Sequence, residues 1–288
     1  MHVFVTGAAG WVGSAVVHEL VSAGHEVTGL VRSESKAAQL SAAGARVLHT
    51  TLEDISTLTA AARSADAVIH TAFNHDFTNF QASCAQDKQV IEALGEALAG
   101  SARPLIVTSG LLGMQRGATE DDLPHPGSPR LSEAAARAVA RQGVKAATLR
   151  LAPSVHGIGD YGFIPMLVRL ACEKRVSAYL DGVENYWSGV HRLDAARVYR
   201  LALEEGVTQP VYHAVADQVV PFRAIAEVIG RQLGLPVEPR GREHFGWFAH
   251  FAGADMAVSS QKTRDILGWT PTSPSLLADL DQREYYAA

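Results

Sequence analysis

The chain has 288 residues, 47% hydrophobic and 19% charged, which suits one large α/β domain or a domain with a smaller lobe attached. A formal net charge of −5 without a basic stripe argues against a nucleic-acid partner. The two cysteines, Cys84 and Cys172, stand in no metal or redox spacing; both are read as reduced residues of the core or of helices, and no metal is expected.

In chain order, HVFVT (2–6) is a short, β-branched strand, followed by helical spacing over 11–24. The strand begins directly after Met1, so no signal peptide is expected. Each apolar stretch is broken by Gly, His or charge, so no membrane partner is expected and the reading is cytoplasmic. Further strands are expected at 26–32, 46–50, 66–72, 104–110 and 146–152, with a helix over 81–100. Strands alternating with helices predict an α/β fold, a doubly wound parallel sheet covered on both faces, with a smaller C-terminal substrate lobe. The dinucleotide-binding core is expected at 1–153 and the lobe at 154–288, with segments near 185–216 returning to the core. Helices are expected at 193–205 and 222–233, a strand at 210–216 and a terminal helix at 271–280.

VTGAAGWVG (5–13) sets Gly7, Gly10 and Gly13 between the first strand and the first helix. A pyrophosphate needs close backbone approach, a tight turn and amide donors at a helix N-terminus, which this spacing supplies. Gly7, Ala9, Gly10, Trp11, Val12 and Gly13 are therefore assigned to a dinucleotide. At the tip of the second strand, NAD binders usually carry an acid for the ribose hydroxyls. Here the tip reads GLVRSES (29–35), with Lys36 next and Glu34 the nearby acid. Arg32 can fork onto a 2′-phosphate, so Arg32 and Ser33 favour NADP(H) over NAD. Leu52 and Thr108 are assigned to the same coenzyme set.

Together TGAAGWVG, DAVIHTA, PLIVTSG, RLAPSVHG, SGVHRLDAARVY and LGWTPT resemble the short-chain dehydrogenase/reductase superfamily, in its extended, epimerase/dehydratase-like branch. The resemblance covers nearly the whole chain and implies a Rossmann fold. It implies that Thr71, Ala72 and Phe73 lie beside the coenzyme and that Pro153, Ser154 and Val155 lie against the nicotinamide. It also implies a Ser or Thr after the fifth strand working with a Tyr-x-x-x-Lys pair on the next helix. A homodimer through a four-helix bundle is common in that family.

The departure is at the catalytic pair. No tyrosine lies between residues 110 and 150, and no Tyr-x-x-x-Lys occurs in the chain. Gly110 aligns with the family's serine, leaving Thr108 and Ser109 close by. Counting back from Glu133 puts His125 at the tyrosine position and Pro129 at the lysine position. GSPRLSE reads as a helix start with Ser128 as N-cap and Pro129 in the first turn. Substitute proton carriers are Tyr161 and His156, in VHGIGDYGF (155–163) with Asp160, while His125 is read as a solvated loop residue. NYWSGVHRLD (185–194) offers Trp187, His191 and Asp194, and the resemblance implies that His191 and Asp194 belong to a structural segment clamping the lobe. Phe73, His75, Asp76, Phe77 and Phe80 could wall a pocket; the stripe of His244, Trp247, Phe248, His250 and Phe251 is read as core before substrate box.

The expected function is an NADP(H)-dependent oxidoreductase acting on the carbonyl or hydroxyl of a small apolar or aromatic metabolite, with Thr108 or Ser109 hydrogen-bonding its oxygen. The alternatives are an NADPH-dependent C=C or C=N reductase and a non-catalytic NADP-binding sensor or scaffold.

Overall fold

The computed structural model describes residues 1–287 apart from the side chain of Phe77, which lies outside the described residues. Its first half alternates β1 (His2–Thr6), α1 (Trp11–Ser22), β2 (Glu26–Val31), α2 (Glu34–Ala42), β3 (Arg46–His49), α3 (Ile55–Ser64), β4 (Ala67–His70), α4 (Phe80–Leu98), β5 (Pro104–Gly110), α5 (Ser132–Arg141) and β6 (Lys145–Leu151). There follow β7 (Ser154–His156), α6 (Phe163–Lys174), β8 (Ser177–Leu180), β9 (Tyr186–His191), α7 (Arg192–Glu204), β10 (Val211–Ala214), β11 (Asp217–Pro221), α8 (Phe222–Leu233) and β12 (Val237–Arg240). Short helices α9 (Arg242–Phe245), α10 (Ala249–Ala252), α11 (Gln261–Leu267) and α12 (Leu276–Leu280) complete the chain.

Seven strands form one parallel sheet in the order β10-β6-β5-β4-β1-β2-β3. Both faces are covered, which is why these strands are nearly continuous apolar runs. Alternate residues of β1 serve opposite cores: Val3 and Val5 pack with α1 and α7, while Phe4 packs with Leu58, Ile91, Leu94 and Val139 from α3, α4 and α5. The strand order reverses at β1 and β4, and ligands of doubly wound sheets bind in the crevice at the carboxyl ends there. A third core, around Trp187, Phe222, Phe245, Phe248 and Met256, lies in the C-terminal half. In it β9 pairs with β7 in parallel and with β11 antiparallel, and β12 pairs with β8.

Two expected helix starts move by several residues. Helix α5 begins at Ser132 with Leu131 as N-cap, so neither Ser128 nor Pro129 opens it. The reason is local: Ser128 and Gly127 close a turn back onto the carbonyl and Nδ1 of His125. The terminal helix forms only at Leu276–Leu280, after Pro274, where the Ser275 side chain caps it by accepting the Ala278 amide. The aromatic stripe at 244–251 is largely core, with Phe245 and Phe248 buried and Trp247 left exposed.

Candidate active site

The turn from β1 into α1 is built from main chain. Gly7 holds φ +67°, and a Cβ there would sit 2.7 Å from the Ala72 amide nitrogen. A Cβ at Gly13 would sit 2.0 Å from the Gly7 carbonyl oxygen, which itself accepts the Gly10 amide at 2.8 Å. Thr71 closes the same corner by donating its hydroxyl to the Thr6 carbonyl at 2.7 Å. Gly10 caps α1 without a side chain, and no acid lies in the first turn, so no carboxylate of that turn offsets the positive end of the helix dipole.

One amide of this turn has found an unusual acceptor. The Trp11 N–H donates to the hydroxyl of Tyr161 at 2.8 Å, and Tyr161 is 62% exposed. The Trp11 indole donates to the Val155 carbonyl at 2.6 Å, meets the Tyr161 ring edge-on, and carries the Arg192 guanidinium 4.3 Å above its face. Trp11 thus joins the glycine turn to the loop after β6, and Val155 and Tyr161 come together with it.

At the tip of β2, Arg32 and Ser33 are exposed. Lys36 reaches back from α2 to the Ala9 carbonyl at 3.3 Å, tying this tip to the glycine turn. Glu34, the nearby acid, is the first residue of α2, where it complements that helix's dipole. Leu52 is half-buried against the α3–α5 side of the sheet.

The other corner, from β5 to α5, is built from side chains. Thr108 is buried and shares a hydrogen bond with the Tyr199 hydroxyl of α7 at 2.7 Å. Burial pushes the Tyr199 hydroxyl far above the ordinary tyrosine range. Ser109, also buried, alternates to the opposite face of the strand. Gly110 is exposed, and a Cβ there would meet open space. Pro153 is half-buried, and the hydroxyl of buried Ser154 has no hydrogen-bond partner among the described residues.

His156, expected as a proton carrier, is fully buried: its Nδ1 meets Asp279 of α12 at 2.6 Å, and its ring abuts that of His191. Its neighbour Asp160 accepts the Tyr285 hydroxyl at 2.7 Å, and burial raises the Asp160 carboxyl against the lowering of its hydrogen bonds. These contacts pin the 156–160 loop to the C-terminal segment, so the position of His156 is that of an anchor and Tyr161 is the exposed group of the pair. His125 is exposed in its turn, accepting the Gly127 amide. Trp187 is core, and Asp194 accepts the amides of Thr272 and Ser273. Asp76 is spent on an Asx turn to Thr78. His244 is buried, with its ring against that of Phe245.

Sequence reading missed a polar chain at this corner. The Thr6 hydroxyl meets His70 Nδ1 at 2.7 Å, and His70 Nε2 meets Asp87 Oδ1 at 3.0 Å. Ser132 donates to Asp87 Oδ2, and Arg130 Nε donates to Ser132 at 2.6 Å. The Arg130 guanidinium lies 3.6 Å from the centroid of the Phe73 ring, which also contacts His75 and Phe80. Burial works to raise the Asp87 carboxyl, but His70, Arg130 and Ser132 together hold it below the ordinary range. The available signal was position: Arg130 stands one residue past Pro129, where the family's lysine was counted.

The fold and the glycine turn define a dinucleotide-binding protein, and residues 7–151 match the NAD(P)H-binding family. The chain belongs to that family, with the motifs of the short-chain dehydrogenase/reductase superfamily. An uncharacterised protein of Schizosaccharomyces pombe is 46% identical over 299 residues, spanning 99% of this chain and 100% of its own. Sterol-4-alpha-carboxylate 3-dehydrogenase (decarboxylating) of Dictyostelium discoideum is 30% identical over 244 residues, 77% of this chain and 73% of that protein. A dTDP-glucose 4,6-dehydratase variant from Streptomyces venezuelae, solved with NAD bound, matches the fold at a TM-score of 0.79 and 21% identity, covering 100% of this chain and 97% of that one. No helix among the described residues is long and apolar enough to cross a membrane.

Proposed function

We propose that the protein is an NADP(H)-dependent oxidoreductase acting on the carbonyl, or the matching hydroxyl, of a small apolar or aromatic molecule. The observation that carries this reading is the β1–α1 turn, where side chains are excluded at Gly7 and Gly13 and a helix N-terminus faces an oxygen acceptor. A dinucleotide fits these residues. The Trp11 amide already donates to a phenolic oxygen, the same kind of bond that a phosphate oxygen accepts. Gly7, Ala9, Gly10, Trp11, Val12 and Gly13 would hold the pyrophosphate, and Thr71, Ala72, Pro153, Ser154 and Val155 would flank the rest. Arg32 would take the 2′-phosphate from the exposed tip of β2, where Glu34 opens α2 and Glu53 is the acid on which the Arg32 charge acts.

When bound, the coenzyme supplies or accepts the hydride. The chain's own residues bind, orient and handle the proton. Phe73 and Phe80 offer an apolar wall, and a dehydrogenase of a sterol among the relatives supports an apolar substrate. Ser109 would hydrogen-bond the substrate oxygen; of the two expected proton carriers, Tyr161 is exposed and His156 is buried, which favours Tyr161.

The test is a fluorescence titration of NADPH and NADH against wild type and Arg32→Ala. The variant is expected to lose NADPH affinity selectively, by about 1.5–3 kcal/mol for a charge-assisted hydrogen bond. Equal losses for both coenzymes would remove the NADP assignment, and turnover of ketones, enones or imines identifies the bond reduced.

A further inference from the structure

We propose that Arg130 is an anion-binding residue of the substrate pocket, and that the ligand it receives is an apolar or aromatic carboxylate laid beside the Phe73 ring. This rests on the oxidoreductase reading and narrows its substrate to an oxo or hydroxy acid.

The Nε of Arg130 donates to Ser132 at 2.6 Å and lies 4.0 Å from Asp87, but the two Nη groups donate no hydrogen bond to any described residue. Asp87 does not reach them, since its closest approach to the guanidinium is to Nε, at 4.0 Å. One face of the guanidinium is stacked on Phe73. The side chain is 25% exposed, so most of its hydration is gone while part of its edge stays open. A guanidinium immobilised through its Nε and one face presents its remaining planar fork outward, and that fork matches a carboxylate.

Two further observations place this fork at the crevice. Phe73 follows β4 directly past Thr71 and Ala72, which pack against Gly7. The charge of Arg130 also bears on the Tyr199 hydroxyl, which bonds Thr108 near the tip of β5. The anchoring chain runs Arg130, Ser132, Asp87, His70, Thr6, across α5, α4, β4 and β1, so the fork is held by the same strand tip that bears the glycine turn. A guanidinium does not give up its proton at neutral pH, so Arg130 supplies charge and geometry and leaves proton transfer to another group.

The experiment is a calorimetric titration of the full chain, with and without NADPH, using benzoate and its neutral analogue benzamide as probes. Wild type is expected to bind benzoate about tenfold or more tightly than benzamide, as suits a charge-assisted fork. Arg130→Gln should abolish that preference while leaving the NADPH titration unchanged, Arg130→Lys should keep part of it, and Phe73→Ala should weaken both probes alike. Thermal melts of each variant report whether it is folded; the wild-type preference for the acid needs no variant. Equal binding of the two probes, or a preference that survives in Arg130→Gln, overturns the proposal while leaving coenzyme binding intact. Failure of NADPH to bind would instead sink the oxidoreductase reading, and the benzoate arm would still decide the role of Arg130.

Discussion

The two corners of the crevice are made of different material. At β1–α1 the working groups are main-chain amides and the absence of Cβ atoms, and the residues that matter lie within seven positions, Gly7 to Gly13. At β5–α5 they are side chains gathered from β1, β4, α4, β6 and α5, as far apart as Thr6 and Arg150. A site made of backbone constrains its sequence locally, because only glycine meets its steric demand. A site made of side chains can exchange one residue for another as long as the network remains satisfied. The contrast fits a sequence that has the glycine turn and contains no Tyr-x-x-x-Lys.

The contrast is tested hardest at Glu133. Both its carboxylate oxygens take the guanidinium of Arg150 in β6, at 2.8 and 2.7 Å, and Arg150 is fully buried. Arg150 also meets His213 Nε2 and the Asp122 carbonyl. Glu133→Ala leaves a buried charge without its counter-ion, so a loss of about 3–5 kcal/mol is expected in urea unfolding. A loss below about 1 kcal/mol, the range of an exposed pair, would mean that this corner does not rest on its side-chain network.

At the other corner the matching substitution is Gly13→Ala. The added methyl would collide with the Gly7 carbonyl, a backbone atom that cannot rotate away. About 1–3 kcal/mol of stability should be lost, the usual size of overpacking strain. NADPH titration should fail in the same variant. Near-normal binding with near-normal stability would show that the turn yields easily and that its glycines are not steric requirements.

What the sequence disclosed follows the same division. The central strands β1, β4 and β5 were legible because burial on both faces makes them largely apolar, and β5 at Pro104–Gly110 was placed to the residue. The glycine turn was legible for the steric reason just given. The C-terminal half was read only in outline, because β7, β8, β9, β11 and β12 sit in separate two- and three-stranded sheets and β9 mixes parallel and antiparallel partners. Spacing alone does not tell that His156 would meet Asp279, 123 positions away, or that His70 and Asp87 would join Arg130. Phe73 and Tyr161 were marked as candidates, but their partners Arg130 and the Trp11 amide were fixed by tertiary packing.

The finest test lies in the pH dependence of Asp87. Its carboxyl is held below the ordinary range by His70, Arg130 and Ser132, which outweigh its burial. A carboxylate with a depressed folded-state pKa adds stability in full above its unfolded value of about 3.9, and that stability is lost as the pH falls through the folded value. Asp87→Asn removes the titration while keeping the shape. The variant should therefore be less stable than wild type near neutrality, by about 1 kcal/mol for the loss of one charge-assisted hydrogen bond. The gap should close as unfolding is measured at successively lower pH below about 4. A gap that stays constant across that range would mean that Asp87 fills space and does not hold charge. The anchor of Arg130 would then depend on Ser132 alone, and the β5–α5 corner would be less of an electrostatic assembly than its hydrogen bonds imply.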